Sequence, residues 1–159
     1  MTNIRLSIII TVYSEERALA ETVKRLLADD SGYIHEILLV VSPRSSKSCL
    51  ALCRTLADND SRVVFFLQKT TDGVGRAVRE GFLQATGDYI AIMSADLETE
   101  PEAVGRMVKI ILATDCDLVI ADRWLPESRF EDYSRVKLVL NWLFQQLFRR
   151  IFATEVGDL

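Results

Sequence analysis

From Tyr89 to Pro101 the chain reads YIAIMSADLETEP, an apolar run that ends in acid. Asp96, Glu98, Glu100 and Glu102 follow at alternate positions. Carboxylates beside a buried strand end are costly unless something pairs with them. Three partners suit them: water, the positive end of a helix, or a divalent cation carrying phosphate. Mg²⁺ and Mn²⁺ take oxygen ligands and leave positions for substrate phosphates, which makes acids at this strand end candidate metal ligands. Glu100 and Glu102 stand just before a helical pattern and read as favourable charges at its N-terminus.

The elements that must hold these acids alternate regularly. Apolar runs at Leu6–Val12, Glu36–Val41, Arg62–Leu67 and 88–93 read as buried strands, and CDLVIA, Cys116–Ala121, reads as a fifth. Helical spacing fills the intervals: 15–29, 46–58, 73–86 and 100–114, the last with Pro101 suited to its first turn. Continuous apolar strands separated by helices predict an α/β fold, a mostly parallel Rossmann-like sheet with helices on both faces. Ligands of such sheets bind outside the carboxyl ends of the strands. The segments TVYSEE, VSPRSSKS, QKTTDGVGR, MSADLETE and ADRWLPESR therefore become the candidate site.

At 159 residues, 49% hydrophobic and 26% charged, the composition is that of one globular domain spanning 1–159. The net charge of −4 gives no global attraction for nucleic acid. Cys49, Cys53 and Cys116 are an odd number without a secretory leader, which points to a reducing, cytoplasmic compartment and structural thiols. With His35 as the only histidine, zinc has no ligand set, and His35 reads as a residue just before the second strand. No apolar run approaches ~18 uncharged residues, so no transmembrane helix is expected. The first strand end lacks the glycines of a dinucleotide-binding turn, and no Walker A loop is present, which sets aside NAD and P-loop chemistry.

Taken together, LSIIITVYSEERALAETVKRLL, GVGRAVREGFLQATGDYIAIMSADLETEPEAV and ADRWLPESRFEDYSRVKLVLNWLFQQLF resemble, in order, the segments of family 2 glycosyltransferases, and of their polyisoprenyl-phosphate branch in particular. That branch includes dolichyl-phosphate mannose synthases. The resemblance implies a GT-A fold and a metal-dependent, inverting transfer of sugar from a UDP- or GDP-sugar to a polyprenyl phosphate, with Mg or Mn as cofactor. It also implies a place for each residue. The family's D-x-D falls on Ser94-Ala95-Asp96, with Asp96 and Glu98 as the metal pair and Ser94 a neutral oxygen near the nucleotide. Thr11, Tyr13 and Glu15 keep or replace the donor-binding positions after the first strand, Tyr13 to stack on a base and Glu15 to accept from base or ribose. Ser42 and Pro43 stand where the family has base-reading aspartates, and Arg44 and Lys47 turn that loop basic. The plain alternative is a solvated turn in which Ser45 or Ser46 caps the next helix.

Arg76, beyond Gly73 and Gly75, is a donor-binding candidate, and Asp72 a cap for its helix. Arg123 stands where the family has the Arg of G-S-R-Y and is expected to fork onto phosphate as a catalytic group. Arg135 matches a further phosphate-binding position, with Arg129 nearby. Asp158 would be the Asp of the family's D-x-T-x-G-F-R motif, of which the remainder is absent here. An amphipathic helix at about 131–153 carries Leu140, Leu143, Phe144, Leu147 and Ile151 opposite a stripe of Lys137, Asn141, Gln145 and Arg149. Such a helix either packs on the domain or lies in a membrane interface, making a peripheral contact at the inner membrane face. The departures at Ser42, Pro43 and Ser94 keep a second expectation open: a catalytically inactive binding or scaffolding module. A nucleotidyltransferase fits less well, because no glycine-rich basic loop follows the first strand.

Overall fold

The computed structural model describes residues 4–69, 73–114, 116–121 and 135–152. The chain falls into two compact units, Met1–Val104 and Gly105–Leu159. In the first unit, β1 (Leu6–Val12), β2 (Ile34–Val41), β3 (Val63–Leu67) and β4 (Tyr89–Ser94) form a sheet in the order β3-β2-β1-β4. All its pairings are parallel. Between the strands run α1 (Arg17–Leu27), α2 (Lys47–Asn59) and α3 (Val74–Gln84), and α4 (Ala103–Ala113) begins at the end of the unit.

The inner strands are buried for the reason their sequence suggests, whereas β3 and β4, expected as buried, are partly exposed. β1 and β2 lie inside the sheet with helices above and below, and Ile8, Ile9, Ile10, Ile37, Leu39 and Val40 have no exposed surface. The pleat sorts them. Ile9, Leu38 and Val40 pack with Ala77 of α3, and Phe66, Ala85 and Ile90 close around them. The alternate residues face the other way, towards α2. Leu39 pairs with Phe65, and Arg54 of α2 lies over the Phe65 ring at 5.9 Å. α1 packs beside α2 on that side and buries Leu19, Val23 and Leu26.

Helices therefore cover both faces, and the winding reverses at β1. β1-α1-β2-α2-β3 steps one way across the sheet. The connection through α3 then returns past β2 and β1 to place β4 on the far side. Gly81 makes the close approach of α3 possible, since a Cβ there would stand 2.6 Å from Ile9 Cγ2.

At the amino end of the sheet a buried polar knot ties β1, β2 and the turn before β4. Ser7 Oγ donates to Glu36 Oε1 at 2.6 Å, and Thr86 donates to the same oxygen through N–H at 2.6 Å and Oγ1 at 3.0 Å. Gly87 N–H donates to Ser7 Oγ at 2.9 Å. His35 lies inside β2 rather than before it, because the strand extends back to Ile34. Its Nε2 meets Arg5 at 2.9 Å and Thr86 Oγ1 at 3.2 Å. Burial alone would raise the Glu36 carboxyl. The hydrogen bonds from Ser7 and Thr86, with nearby His35, outweigh it and hold the group below the ordinary carboxylate range.

Other expectations need adjusting. The run Cys116–Ala121 is not a strand: Leu118 is 71% and Ile120 46% exposed, and the sheet among the described residues has four strands. A strand exists through its ladder with a neighbour, and an apolar run does not supply one. Pro101 lies in a turn before α4 rather than in its first helical turn. The N–H groups of Ala103 and Val104 bond back to Glu100 and Pro101. Cys49 and Cys53 are buried in α2, and burial pushes the Cys53 thiol up to about 12, which fits packing thiols. In the second unit α5 spans Arg135–Phe152. Leu140, Trp142, Leu143, Phe144, Leu147 and Ile151 are exposed along it, with the Phe144 and Phe148 rings 4.6 Å apart. No helix among the described residues is long and apolar enough to cross a membrane.

Two outcomes follow for stability. A Cβ at Gly87 would lie 2.5 Å from the Arg5 carbonyl oxygen and 2.7 Å from Ser7 Oγ, so backbone must shift. Gly87→Ala is expected to lose about 1–3 kcal/mol in urea denaturation. The low Glu36 value stabilises the fold fully above the unfolded-state value, and this contribution fades as pH falls through the folded one. The stability gap between wild type and Glu36→Gln, measured by denaturant at pH 7 and again near pH 3, should therefore shrink at the acid end.

Candidate functional site

The reversal of winding at β1 opens a crevice at the carboxyl edge of the sheet, the place where such sheets bind ligands. A cleft of ≈ 370 Å³ lies there. Strand ends form its floor and the first turn of α3 forms one wall. Thr11, Tyr13 and Glu15 come from β1 and the turn after it, Ser42 from the end of β2, and Ser94 from the end of β4. Gly73, Val74 and Ala77 supply the wall.

Register explains why these side chains meet. Thr11 pairs with Ser94 on one side and Val40 on the other, and Val40 pairs with Phe66. The ladder continues past the strands: Ser42 N–H bonds to Val12 O at 2.9 Å and Gln68 N–H to Val41 O at 2.9 Å. Thr11, Ser42, Gln68 and Ser94 thus share the face of the pleat that carries α3, since alternate side chains point the same way. Gln68 lines the cleft and was not picked out from the sequence, where it sits between an apolar run and a glycine loop with no pattern to mark it. It is a buried polar side chain, and its Nε2 donates to Gly73 O at 3.4 Å. That carbonyl also accepts from the Arg76 and Ala77 N–H groups, so Gln68 joins β3 to the first turn of α3. Gly73 has φ +144°, a conformation that residues with a Cβ rarely adopt.

The turn after β1 is organised by its own acid. Glu15 Oε2 accepts from Tyr13 N–H at 2.8 Å and Ser14 N–H at 3.0 Å, while the Tyr13 ring stands 55% exposed at the cleft. Glu16 reaches the start of α2, where its Oε1 accepts from Ser46 Oγ at 3.1 Å and Ser48 Oγ at 2.5 Å. Ser46 also caps α2 by accepting from Cys49 N–H at 3.0 Å. The basic turn is a capped, solvated one, with Pro43, Arg44 and Lys47 exposed. Ser42 Oγ accepts from Arg44 N–H at 3.1 Å.

Beyond β4, Ala95 is buried and Asp96 and Glu98 are exposed. Asp96 Oδ1 accepts from Glu98 N–H at 3.0 Å. Between them Leu97 has φ +65°, an uncommon backbone state for a residue with a Cβ. This turn follows Ser94 directly in the chain, and of these residues only Ser94 lines the cleft. Glu102 stands immediately before α4 and also takes Arg25 of α1 in a two-pronged ion pair, with Nε to Oε1 at 2.8 Å and a second contact to Oε2. Among the described residues no three His, Cys, Asp or Glu side chains cluster as a metal cage. Two carboxylates and a hydroxyl, all oxygen donors, are still a chemically suitable partial set for Mg²⁺ or Mn²⁺, whose remaining positions water and a diphosphate fill.

The other candidates are placed differently. Arg76 is exposed on α3 and does not line the cleft. Arg135 opens α5, in the other unit. Asp72, Arg123, Arg129 and Asp158 lie outside the described residues.

Comparison with known proteins bears on what such a cleft serves. The model of Glycosyl transferase family 2 matches residues 7–158. The undecaprenyl-phosphate 4-deoxy-4-formamido-L-arabinose transferase of Sodalis glossinidius is 33% identical over 156 residues, covering 97% of this chain and 46% of that protein. The transferase of the same name from Edwardsiella ictaluri is 35% identical over 105 residues, 65% of this chain and 32% of that protein. The one from Salmonella paratyphi A is 31% identical over 106 residues, with the same coverage. The chain thus spans less than half the length of these curated relatives.

The double acceptance by Glu15 acts as a cap for the turn that presents Tyr13. Glu15→Ala should cost about 1 kcal/mol in urea denaturation, the usual loss when a side-chain cap to backbone N–H is removed.

Proposed function

The chain belongs to glycosyltransferase family 2, and from that premise we propose that its cleft binds a UDP- or GDP-sugar and donates the sugar to a polyprenyl phosphate with inversion. The observation that carries this reading is the meeting of Tyr13, Ser42 and Ser94 in one strand-end crevice, with the acid turn Asp96–Glu98 following Ser94 in the chain. The acceptor class is supported by the names of the relatives, which are undecaprenyl-phosphate transferases.

In this reading the acceptor's phosphate oxygen forms a bond to the anomeric carbon as the bond from that carbon to the diphosphate oxygen breaks. The nucleoside diphosphate leaves with the electron pair. A phosphate is already a nucleophile, so the protein supplies position rather than a strong base. Asp96 and Glu98 would hold Mg²⁺ or Mn²⁺, which when bound supplies positive charge to the departing diphosphate. Tyr13 offers a flat apolar face to the base at the cleft mouth. Glu15 holds that turn rigid through its two backbone N–H groups. Ser94 and Thr11 present hydroxyls to the ribose and phosphate region. Arg123 and Arg135 remain proposed phosphate ligands on the strength of the family resemblance. The exposed Trp142, Phe144 and Leu147 of α5 support a peripheral contact with the bilayer from which a polyprenyl acceptor must come.

The alternative of a binding module without catalysis has its own support, in the neutral residues at Ser42 and Ser94 where the resembled family carries acids. Calorimetric titration of UDP and GDP, with and without Mn²⁺, separates the two. Metal-dependent binding to wild type that falls at least about 30-fold in Asp96→Ala is the expected result, corresponding to the loss of a charged ligand. Absence of binding to either nucleotide by folded protein would contradict it.

A further inference from the structure

The proposed donor site contains a residue that nothing so far has given a role in recognition. Its role rests on the proposed reading of the cleft as a nucleotide-sugar site. Among the described residues β4 is an edge strand of the sheet, and the acid turn follows it directly. A diphosphate held at Asp96 and Glu98 can extend its nucleoside along the cleft floor, across β1 towards β2 and β3. Parallel strands stand about 4.8 Å apart and rise about 3.3 Å per residue, and Ser42 and Gln68 lie two residues beyond the level of Thr11 and Ser94, so the row from Ser94 past Thr11 and Ser42 to Gln68 spans about 16 Å. The base end of that row is Ser42 and Gln68.

Ser42 Oγ already accepts from the Arg44 N–H. Gln68, which is also held by protein partners, differs in carrying an amide rather than a hydroxyl. Its side chain is 5% exposed, lines the cleft, and is oriented by the Gly73 carbonyl at 3.4 Å, with the backbone N–H fixed on Val41 O. A primary amide presents an acceptor beside donors. Its complement on a base is a lactam edge, a ring carbonyl beside a ring N–H, which uracil and guanine both carry. We infer that Gln68 is the base-reading residue of this cleft, meeting a nucleobase lactam edge with its amide.

The reader is neutral, and this has a consequence for specificity. A carboxylate in the same place accepts only. It would face one N–H flanked by two carbonyls on uracil, but two neighbouring N–H donors on guanine.

The test uses the full chain with Mn²⁺ and three probes: UDP, GDP, and inorganic pyrophosphate, which has no base. Binding is measured by calorimetry on wild type, Gln68→Leu and Gln68→Glu, each first checked for wild-type circular dichroism and a cooperative melt. Gln68→Leu should weaken the preferred nucleotide about tenfold and leave pyrophosphate unchanged, since one hydrogen-bonding side chain is lost at the base alone. Gln68→Glu should shift the GDP:UDP affinity ratio about tenfold towards GDP. Equal loss for nucleotide and pyrophosphate would make Gln68 a prop for the α3 wall and overturn the inference. So would nucleotide affinities and ratio unmoved in both variants. If Gln68→Leu fails to fold, the ratio in Gln68→Glu decides alone. Wild type that binds pyrophosphate and neither nucleotide would overturn the nucleotide reading itself, and this inference with it.

Discussion

Everything in the first unit depends on β1 being paired on both sides by parallel neighbours. A parallel strand needs a crossover for each neighbour, and crossovers are right-handed. With β2 on one side and β4 on the other, the connections must lie on opposite faces of the sheet. α1 and α2 cover one face and α3 covers the other. The connections from β1 through α1 and from β3 through α3 run to opposite faces, and the carboxyl end of β1 lies between them. The crevice is a product of topology before any side chain enters it. What the side chains add is a floor of one pleat face and a wall that Gly73 and Ala77 keep low.

Two kinds of fastening hold that crevice open. At the far end of the sheet, the Ser7–Glu36–Thr86–Gly87 knot fixes β1, β2 and the turn into β4 at one level. Its carboxylate is buried but satisfied by three donors, the condition under which a buried charge strengthens rather than weakens a fold. At the near end the fastenings are turns: Glu15 on the β1 loop, Ser46 and Glu16 on the start of α2, Gln68 on the start of α3, and Asp96 on the turn after β4. Polar side chains that the sequence offers for ligand binding are thus partly used to shape backbone. Glu15 is the clearest case, since the atom expected to meet a nucleotide is holding Tyr13 and Ser14 in place.

Most of this architecture was legible. β1 to β4 appear as uninterrupted apolar runs because both faces of the inner strands are covered, and glycine and polar punctuation marks their ends. The places that misread share a cause: they are decided by contacts at long sequence separation. Cys116–Ala121 has strand composition without a ladder. Glu102 has its expected place at the start of α4, but its ion pair with Arg25, 77 residues earlier, had no sequence signal. Glu36 looked like the polar start of a strand and proved to be its buried anchor. Gln68 had no signal at all, because a lone amide after a strand has no periodicity and no motif. Its place is visible only when β3 is set beside β2. The acid turn, by contrast, was legible from its chemistry, since carboxylates directly after a buried strand demand a partner.

In the proposed function one nucleotide lies across the strand ends with its phosphates at the β4 side. Paramagnetic line broadening by Mn²⁺, read on backbone amide resonances in the presence of UDP or GDP, tests it most directly. The account predicts broadening centred on Ser94–Glu98, with nucleotide-dependent shifts at Thr11–Glu15, Ser42 and Gln68 outside the broadened zone. Broadening centred elsewhere, or nucleotide shifts that bypass the strand ends, would contradict it.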